Sequence, residues 1–381
     1  MKLHNILLSA LLATTIVGCD SNDILPETPD TPEQPTDSLV TEGYRFTFGG
    51  SIDTDEEATR ASWTEVYTDD NNKNHLKFSW DYTDEKNPTY DMKMAFVKES
   101  QVLTSTKNKI CTDVTILQHS TKGNDRHWAE FETVERYQKE LKVYDGYTLI
   151  AVNGKGSTVK TNPYAMQLTI PNTFTQSAAN SLAHLSDYMY MYDTYTLKGG
   201  DAHLKFKHLT APVRFRIHNW RPNEVKIYSA SMHVADNQAL TGSSVSVGTT
   251  GPTYSSSHST ITVKAAGDSY FTIAEREQKE YIDLYAHVLP LGDDNGIMGK
   301  TIQFTIEAND VVTGEKKVQY LTSELDHITA EKFHKATGSY NWKAGDLYTF
   351  HIYLDDAIYG VTVNSVSIKE WENGGSWDCD M

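Results

Sequence analysis

Arg60 lies in the stretch "EEATRASW" (56–63), behind the acidic residues Asp53, Asp55, Glu56 and Glu57 and ahead of two small residues. Between Cys19 and Lys73 the only other basic residue is Arg45. A guanidinium so placed either balances the acids around it or is there to be recognised. Other residues with chemical potential are scattered. "GDDNG" (292–296) and "DTDEE" (53–57) cluster carboxylates without the spacing and terminal Glu of a calcium loop, and read as solvated turns. His203 and His208 are five apart, so one strand would send them to opposite faces, which argues against a shared metal. His127 and Glu130 flank Trp128 with no third partner in view. "NGKGSTV" (153–159) starts like a dinucleotide loop but lacks the third glycine and a following helix, and reads as a hairpin turn. HExxH, GxSxG, P-loop and CxxC motifs are absent. Paired glycosidase carboxylates are rarely close in sequence, and nothing here selects a pair. No cofactor, no metal and no enzymatic activity are expected.

The thiol of Cys19 has a clearer context. Ile6 to Val17 is uncharged and mostly apolar, too short to span a bilayer of about 30 Å as a helix, and suits the h-region of a signal peptide. It runs into Ile16-Val17-Gly18-Cys19, which resembles a bacterial lipobox, although position 16 is more often Leu. That resemblance implies removal of residues 1–18 and acylation of Cys19. Two or more acyl chains would hold the protein stably on a membrane. "DSND" (20–23) is similar to the surface-export signal of Bacteroidetes lipoproteins. Cys111 and Cys379 remain, either as a disulfide or as two thiols.

These residues need elements to hold them. The chain has 381 residues and a net charge of −17, which suggests two domains and argues against nucleic acid as a partner. Residues 19–42 read as an acidic spacer. Pro26, Pro29, Pro32 and Pro35 recur at the period of polyproline II, and the stretch has too few apolar residues to fold alone. Extended, it reaches roughly 70 Å.

The remainder alternates. In "YRFTF", Tyr44, Phe46 and Phe48 share one face, and Gly50 and Ile52 continue it. "LKFSW" (76–80), "MKMAF" (92–96), "LKFKH" (204–208), "VRFRI" (213–217), "YIDLYAHV" (281–288), "TIQFTI" (301–306) and "YTFHIYL" (348–354) repeat the pattern. Turn signals such as Asp145-Gly146 and Asn153-Gly154 lie between them. Many strands and few helical runs indicate an all-β chain of antiparallel β-sandwiches. Helix candidates are Phe131–Leu141 and Ser177–Leu185. A boundary near Gly199-Gly200 divides the chain into residues 43–200 and 201–381. The tyrosine cluster "DYMYMYDTY" (187–195) either alternates between core and surface or offers rings to a sugar.

"HLKFKHLTAPVRFRI" (203–217) resembles a signature of the fimbrillin family of Bacteroidales. "WKAGDLYTFHIYL" (342–354) followed by "VTVNSVSIKEW" (361–371) resembles that family's C-terminal end. The lipobox, "RFTF" and "TRASW" are similar to its N-terminal pattern. The resemblance implies two transthyretin-like β-sandwich domains and export to the outer membrane and cell surface as a lipoprotein. It further implies cleavage by a trypsin-like protease after Arg60, before Ala61, which removes the lipidated piece with its first strand. The strand so displaced would carry Tyr44, Phe46, Phe48 and Ile52. A neighbouring fimbrillin subunit, alike or different, would then insert a donor strand, and a pilus would grow. The candidate donor here holds Val361, Val363, Val366 and Ile368. The first two and last two differ in parity, so a bulge near Asn364-Ser365 is needed to give one apolar face. The tail "ENGGSWDCDM" departs from the pattern and leaves stalk, tip and anchor roles open. The alternative is a surface lipoprotein that binds glycans and never polymerises.

Overall fold

The computed structural model describes residues 39–52, 66–68, 74–76, 89–98, 112–119, 128–154, 160–161, 165–182, 190–234, 240, 244–255, 258–275, 280–290, 296–309, 316–320, 327–355 and 362–369. In chain order the first strands are β1 (Leu39–Tyr44), β2 (Thr47–Ile52), β3 (Val66–Thr68), β4 (Asn74–Leu76), β5 (Thr89–Val97), β6 (Thr112–His119), β7 (Trp128–Thr133) and β8 (Thr148–Asn153). Then follow β9 (Lys160–Thr161), β10 (Ala165–Thr169), β11 (Thr173–Gln176), β12 (Met191–Thr196), β13 (His203–His208), β14 (Ala211–Asn219), β15 (Val225–Val234), β16 (Ser244–Gly248) and β17 (Gly251–Tyr254). The last are β18 (Thr260–Ala265), β19 (Phe271–Ile273), β20 (Tyr281–Val288), β21 (Thr301–Asn309), β22 (Lys316–Tyr320), β23 (His327–Thr329), the helix α1 (Ala330–Thr337), β24 (Tyr348–Asp355) and β25 (Thr362–Lys369). The fold is all-β, as its alternating sequence predicts.

Two cores organise these strands. One lies inside a closed ring ordered β12-β13-β2-β7-β6-β5-β8. It buries Phe46, Phe48, Met92, Met94, Phe96, Phe131, Leu149, Leu204 and Phe206 among others. Where an open sandwich is expected, the strands close because β2 bridges β13 and β7, and closure leaves no free edge. The other core lies between the sheet β20-β14-β24-β25 and the sheet β11-β18-β15-β21-β22. Phe215 and Phe350 of the first sheet meet Phe304 of the second at ring-centroid distances of 6.2 and 5.2 Å. A third sheet, β17-β16-β10-β9, adds Met166, Leu168, Val245 and Val247 to the same core.

Several expectations change. Among the described strands three pairings are parallel, β2 with β13, β11 with β18 and β14 with β24, so the ring and the two sheets facing each other across the second core are mixed. Strands meet across Gly199-Gly200 in both directions. β13 joins the ring, while β10 and β11 pair with β16 and β18. Strand structure begins at Leu39, inside the expected spacer, and breaks at Arg45-Phe46. Tyr44 therefore leaves the face of Phe46 and Phe48 and is 46% exposed, against 1% for each phenylalanine. The helix expected at Phe131–Leu141 is the end of β7, a bend and a 3-10 turn at Leu141–Tyr144. Thr133 settles this, because its hydroxyl accepts the Phe46 amide at 2.9 Å and donates to the Glu135 carbonyl at 3.1 Å. Residues 177–182 of the second helix candidate are bends and turns. There the Gln176 amide group donates to the Asp283 carbonyl at 3.0 Å and accepts from the Tyr285 amide at 3.2 Å, covering the edge of β20. Helix α1 is the element the alternation hid. Its signals are a Thr329 cap, accepting from the Lys332 amide at 3.3 Å, and Gly338 in the left-handed region at φ 74°.

Candidate functional site

β2 carries the residues before Arg60 and is held on both sides. It runs antiparallel to β7, with Phe48 opposite Phe131 and Gly50 opposite Ala129, and parallel to β13, with His203 opposite Gly49 and Phe206 opposite Ile52. The Gly49 amide donates to the Ala202 carbonyl at 3.0 Å, and the Phe46 carbonyl accepts from the Thr133 amide at 2.9 Å. Outside the ring, Arg45 donates to Glu132 at 2.9 Å. Inside, Phe46 stacks on Tyr137 at 4.5 Å and meets Phe96 and Tyr144 edge-on at 5.9 and 5.8 Å.

Beyond Phe48 the interior closes. A β-carbon at Gly50 would lie 2.7 Å from Phe131 Cε2 and 3.2 Å from Phe206 Cε2. On the outer face, a β-carbon at Gly49 would lie 2.7 Å from His203 Nδ1. Lifting β2 out would leave β7 and β13 about 9–10 Å apart, the width of one missing strand. The lining would be aromatic, and the unpaired amides and carbonyls of both strands would face the gap.

Arg60, Ala61, Cys19 and Val361 lie outside the described residues. β25 pairs with β24 in an antiparallel register that sets Val363, Val366 and Ile368 opposite Leu354, Ile352 and Phe350. Two residues, Asn364 and Ser365, face Tyr353 alone, which is a bulge at the position where the change of parity calls for one. β25 is hydrogen-bonded to β24 alone among the described strands, whereas β2 has two neighbours.

Two clusters escaped sequence reasoning. Asp283 on β20 accepts two hydrogen bonds of 2.8 Å from Arg216 on β14, with Arg214 Nη1 3.8 Å away and the Tyr285 hydroxyl donating at 3.4 Å. Burial pulls the Arg216 guanidinium's pKa down, and its hydrogen bonds and charge pairing with Asp283 more than reverse this, for a net rise. Burial, then the Asp283 charge, pushes the Tyr285 phenol up. The alternate arginines of "VRFRI" and the lone aspartate of "YIDLYAHV" were the visible signal. The second cluster stacks His218 on Tyr353 at 4.5 Å and on His351 at 5.4 Å, with Trp220 and Tyr281 at its borders 40% and 41% exposed. In the tyrosine row, by contrast, Tyr190 is buried in one core and Met191 in the other, with Tyr192 half-buried against the first and Tyr195 against the second, so 190–195 alternates between two cores and not between core and surface.

His203 lies over Gly49, while His208 packs beside Gly345. Burial lowers the His208 pKa to about 4. The imidazole is neutral in the fold and takes a proton near pH 6.5 in the unfolded chain. Its contribution is therefore complete above about pH 6.5 and is lost as pH falls toward 4, by up to about 3 kcal/mol. His208→Gln should flatten the fall in unfolding midpoint between pH 7 and pH 4.5. An unchanged slope would contradict this assignment.

No protein-family profile matches the chain, and no curated protein matches it. Solved structures similar to it include two crystal structures, each described as a "putative cell adhesion protein". The one from Bacteroides ovatus is 10% identical, at TM-score 0.41, covering 88% of this chain and 100% of that chain. The one from Bacteroides uniformis is 11% identical, at TM-score 0.40, covering 86% and 98%. A fimbrial protein from Bacteroides vulgatus is also similar, at 10% identity and TM-score 0.39, covering 86% of this chain and 100% of that chain.

Proposed function

We propose that this chain is a non-enzymatic structural subunit of a cell-surface fimbria, assembled by protease-triggered strand replacement and serving adhesion. In this reading Cys19 anchors the precursor to the outer membrane, and the two cores stand for the two transthyretin-like domains of the fimbrillin pattern. A trypsin-like protease cuts after Arg60, β2 leaves with residues 1–60, and another subunit's strand refills the ring. β25 is the candidate donor to the next subunit.

The observation that carries the reading is that β2 is an internal strand of the ring and ends at Ile52, N-terminal to Arg60 in the chain. Its loss uncovers the pockets of Phe46 and Phe48, worth about 1.5–3 kcal/mol each, together with two unpaired edges. Strand addition repairs both at once. Successive head-to-tail contacts that do not close on themselves build a filament. The exposed rings of Trp220 and Tyr281 favour a second reading, a glycan-binding surface lipoprotein that does not polymerise.

Limited trypsin treatment tests the proposal. Cleavage should fall first between Arg60 and Ala61, leaving Arg45 intact within its folded segment. The cut protein should then form ladders with subunits from the same envelope, while Arg60→Gln stays uncut and monomeric. Clean cleavage after Arg60 without any ladder would refute assembly and favour the glycan reading.

A further inference from the structure

We infer that the slot left by β2 accepts only a strand carrying glycine at its third inward position, and that this strand comes from a subunit of different sequence rather than a second copy of this chain. The inference rests on the strand-replacement reading and names the partner.

The inward positions of β2 and its lead-in are Phe46, Phe48 and Gly50, all buried. The first two occupy aromatic pockets. The third has no space for a side chain, since Phe131 and Phe206 meet edge to face at 6.4 Å directly beneath it. Both rings are 0% exposed, so a β-carbon at position 50 must displace packed core rather than a mobile surface group. The outer contact at Gly49 is less demanding, because His203 is exposed and can turn away. The slot therefore reads large, large, glycine on alternate residues.

This chain's own candidate donor does not satisfy that code. Residues 361–371, "VTVNSVSIKEW", contain no glycine. Whatever its register or direction, an inserted stretch of 361–371 puts a β-carbon against Phe131. Valine also underfills a pocket shaped for phenylalanine. A partner strand of the form aromatic-x-aromatic-x-Gly meets both conditions, and β2 itself is the example.

Two measurements test this. In the intact chain, Gly50→Ala and Gly50→Val should lower the unfolding midpoint in that order, while Thr47→Val on the exposed outer face should not lower it. At an open strand position glycine to alanine stabilises, so the sign is diagnostic. A midpoint unchanged or raised by Gly50→Ala would overturn the closed position. Next, chain cut at Arg60, with trypsin then inhibited, is incubated with synthetic peptides, and incorporation is read by native mass spectrometry. The peptide of residues 44–53 should enter, while its Gly50→Val form and the 361–370 peptide should enter at least ~10-fold less. Equal entry of the 361–370 peptide would overturn the different-subunit claim. If the 44–53 peptide itself fails to enter, strand replacement is refuted and the partner claim with it, while the thermal measurement still decides whether position 50 is closed.

Discussion

Asp283→Ala should destabilise the fold by about 3–5 kcal/mol, the usual range when one partner of a buried ion pair is removed. Asp283 is 4% exposed and is the carboxylate facing Arg216, with Arg214, itself 1% exposed, at 3.8 Å. Alanine would leave two guanidiniums with no counter-charge from Asp283. Arg214 would keep Thr349 as a hydrogen-bond acceptor at 3.0 Å, and Arg216 would keep the face of Tyr281 at 4.1 Å. Neither contact neutralises a charge. The consequence should reach beyond β20, because its Tyr285 belongs to the core of the strand ring while Ile282 and Leu284 belong to the other core. Denaturant unfolding followed by circular dichroism measures the loss. Adding Arg214→Met to Asp283→Ala should recover part of it by removing one uncompensated charge. A loss below about 1 kcal/mol would show that the pair is solvated, as surface pairs are, and would contradict its burial.

Val366→Asp combined with Ile368→Asp should abolish assembly into ladders while the uncut monomer stays folded. The pair stands opposite Ile352 and Phe350 in a strand that is hydrogen-bonded to β24 alone among the described strands. Loss of an edge strand leaves the two-sided pairing of β14 and the core between the sheets in place, whereas a donor with two carboxylates on its apolar face cannot enter an aromatic slot. Circular dichroism of the uncut variant and a ladder assay with partner subunits after cleavage give the two readouts. An unfolded variant would make β25 a resident core strand. A folded variant that still polymerises would place the donor elsewhere.

Local pattern carried much of this. The period of two fixed the faces of β14, where Val213, Phe215 and Ile217 are buried in one core, and of β2, where Phe46 and Phe48 are buried in the other. The change of parity between Val363 and Val366 called for the bulge that the register contains. Helix α1 was not among the expected helices, although its Thr329 cap and Gly338 terminus are local signals of the same kind. Each of these follows from interactions among residues a few positions apart, which a linear pattern records.

What the sequence by itself determined is therefore an all-β chain, with most inward and outward faces assigned and Arg60 placed beyond a half-apolar strand and the acidic stretch that follows it. Only the tertiary structure decided that β2 lies between β7 and β13, that the pairing with β13 is parallel, and that Gly50 faces a closed floor. Tertiary structure alone also paired Asp283 with Arg216 across adjacent strands. The physical reason is that alternating strands are nearly interchangeable as patterns. Their partners are chosen by which arrangement buries the most apolar surface with every backbone group satisfied, and that is a property of all the strands together.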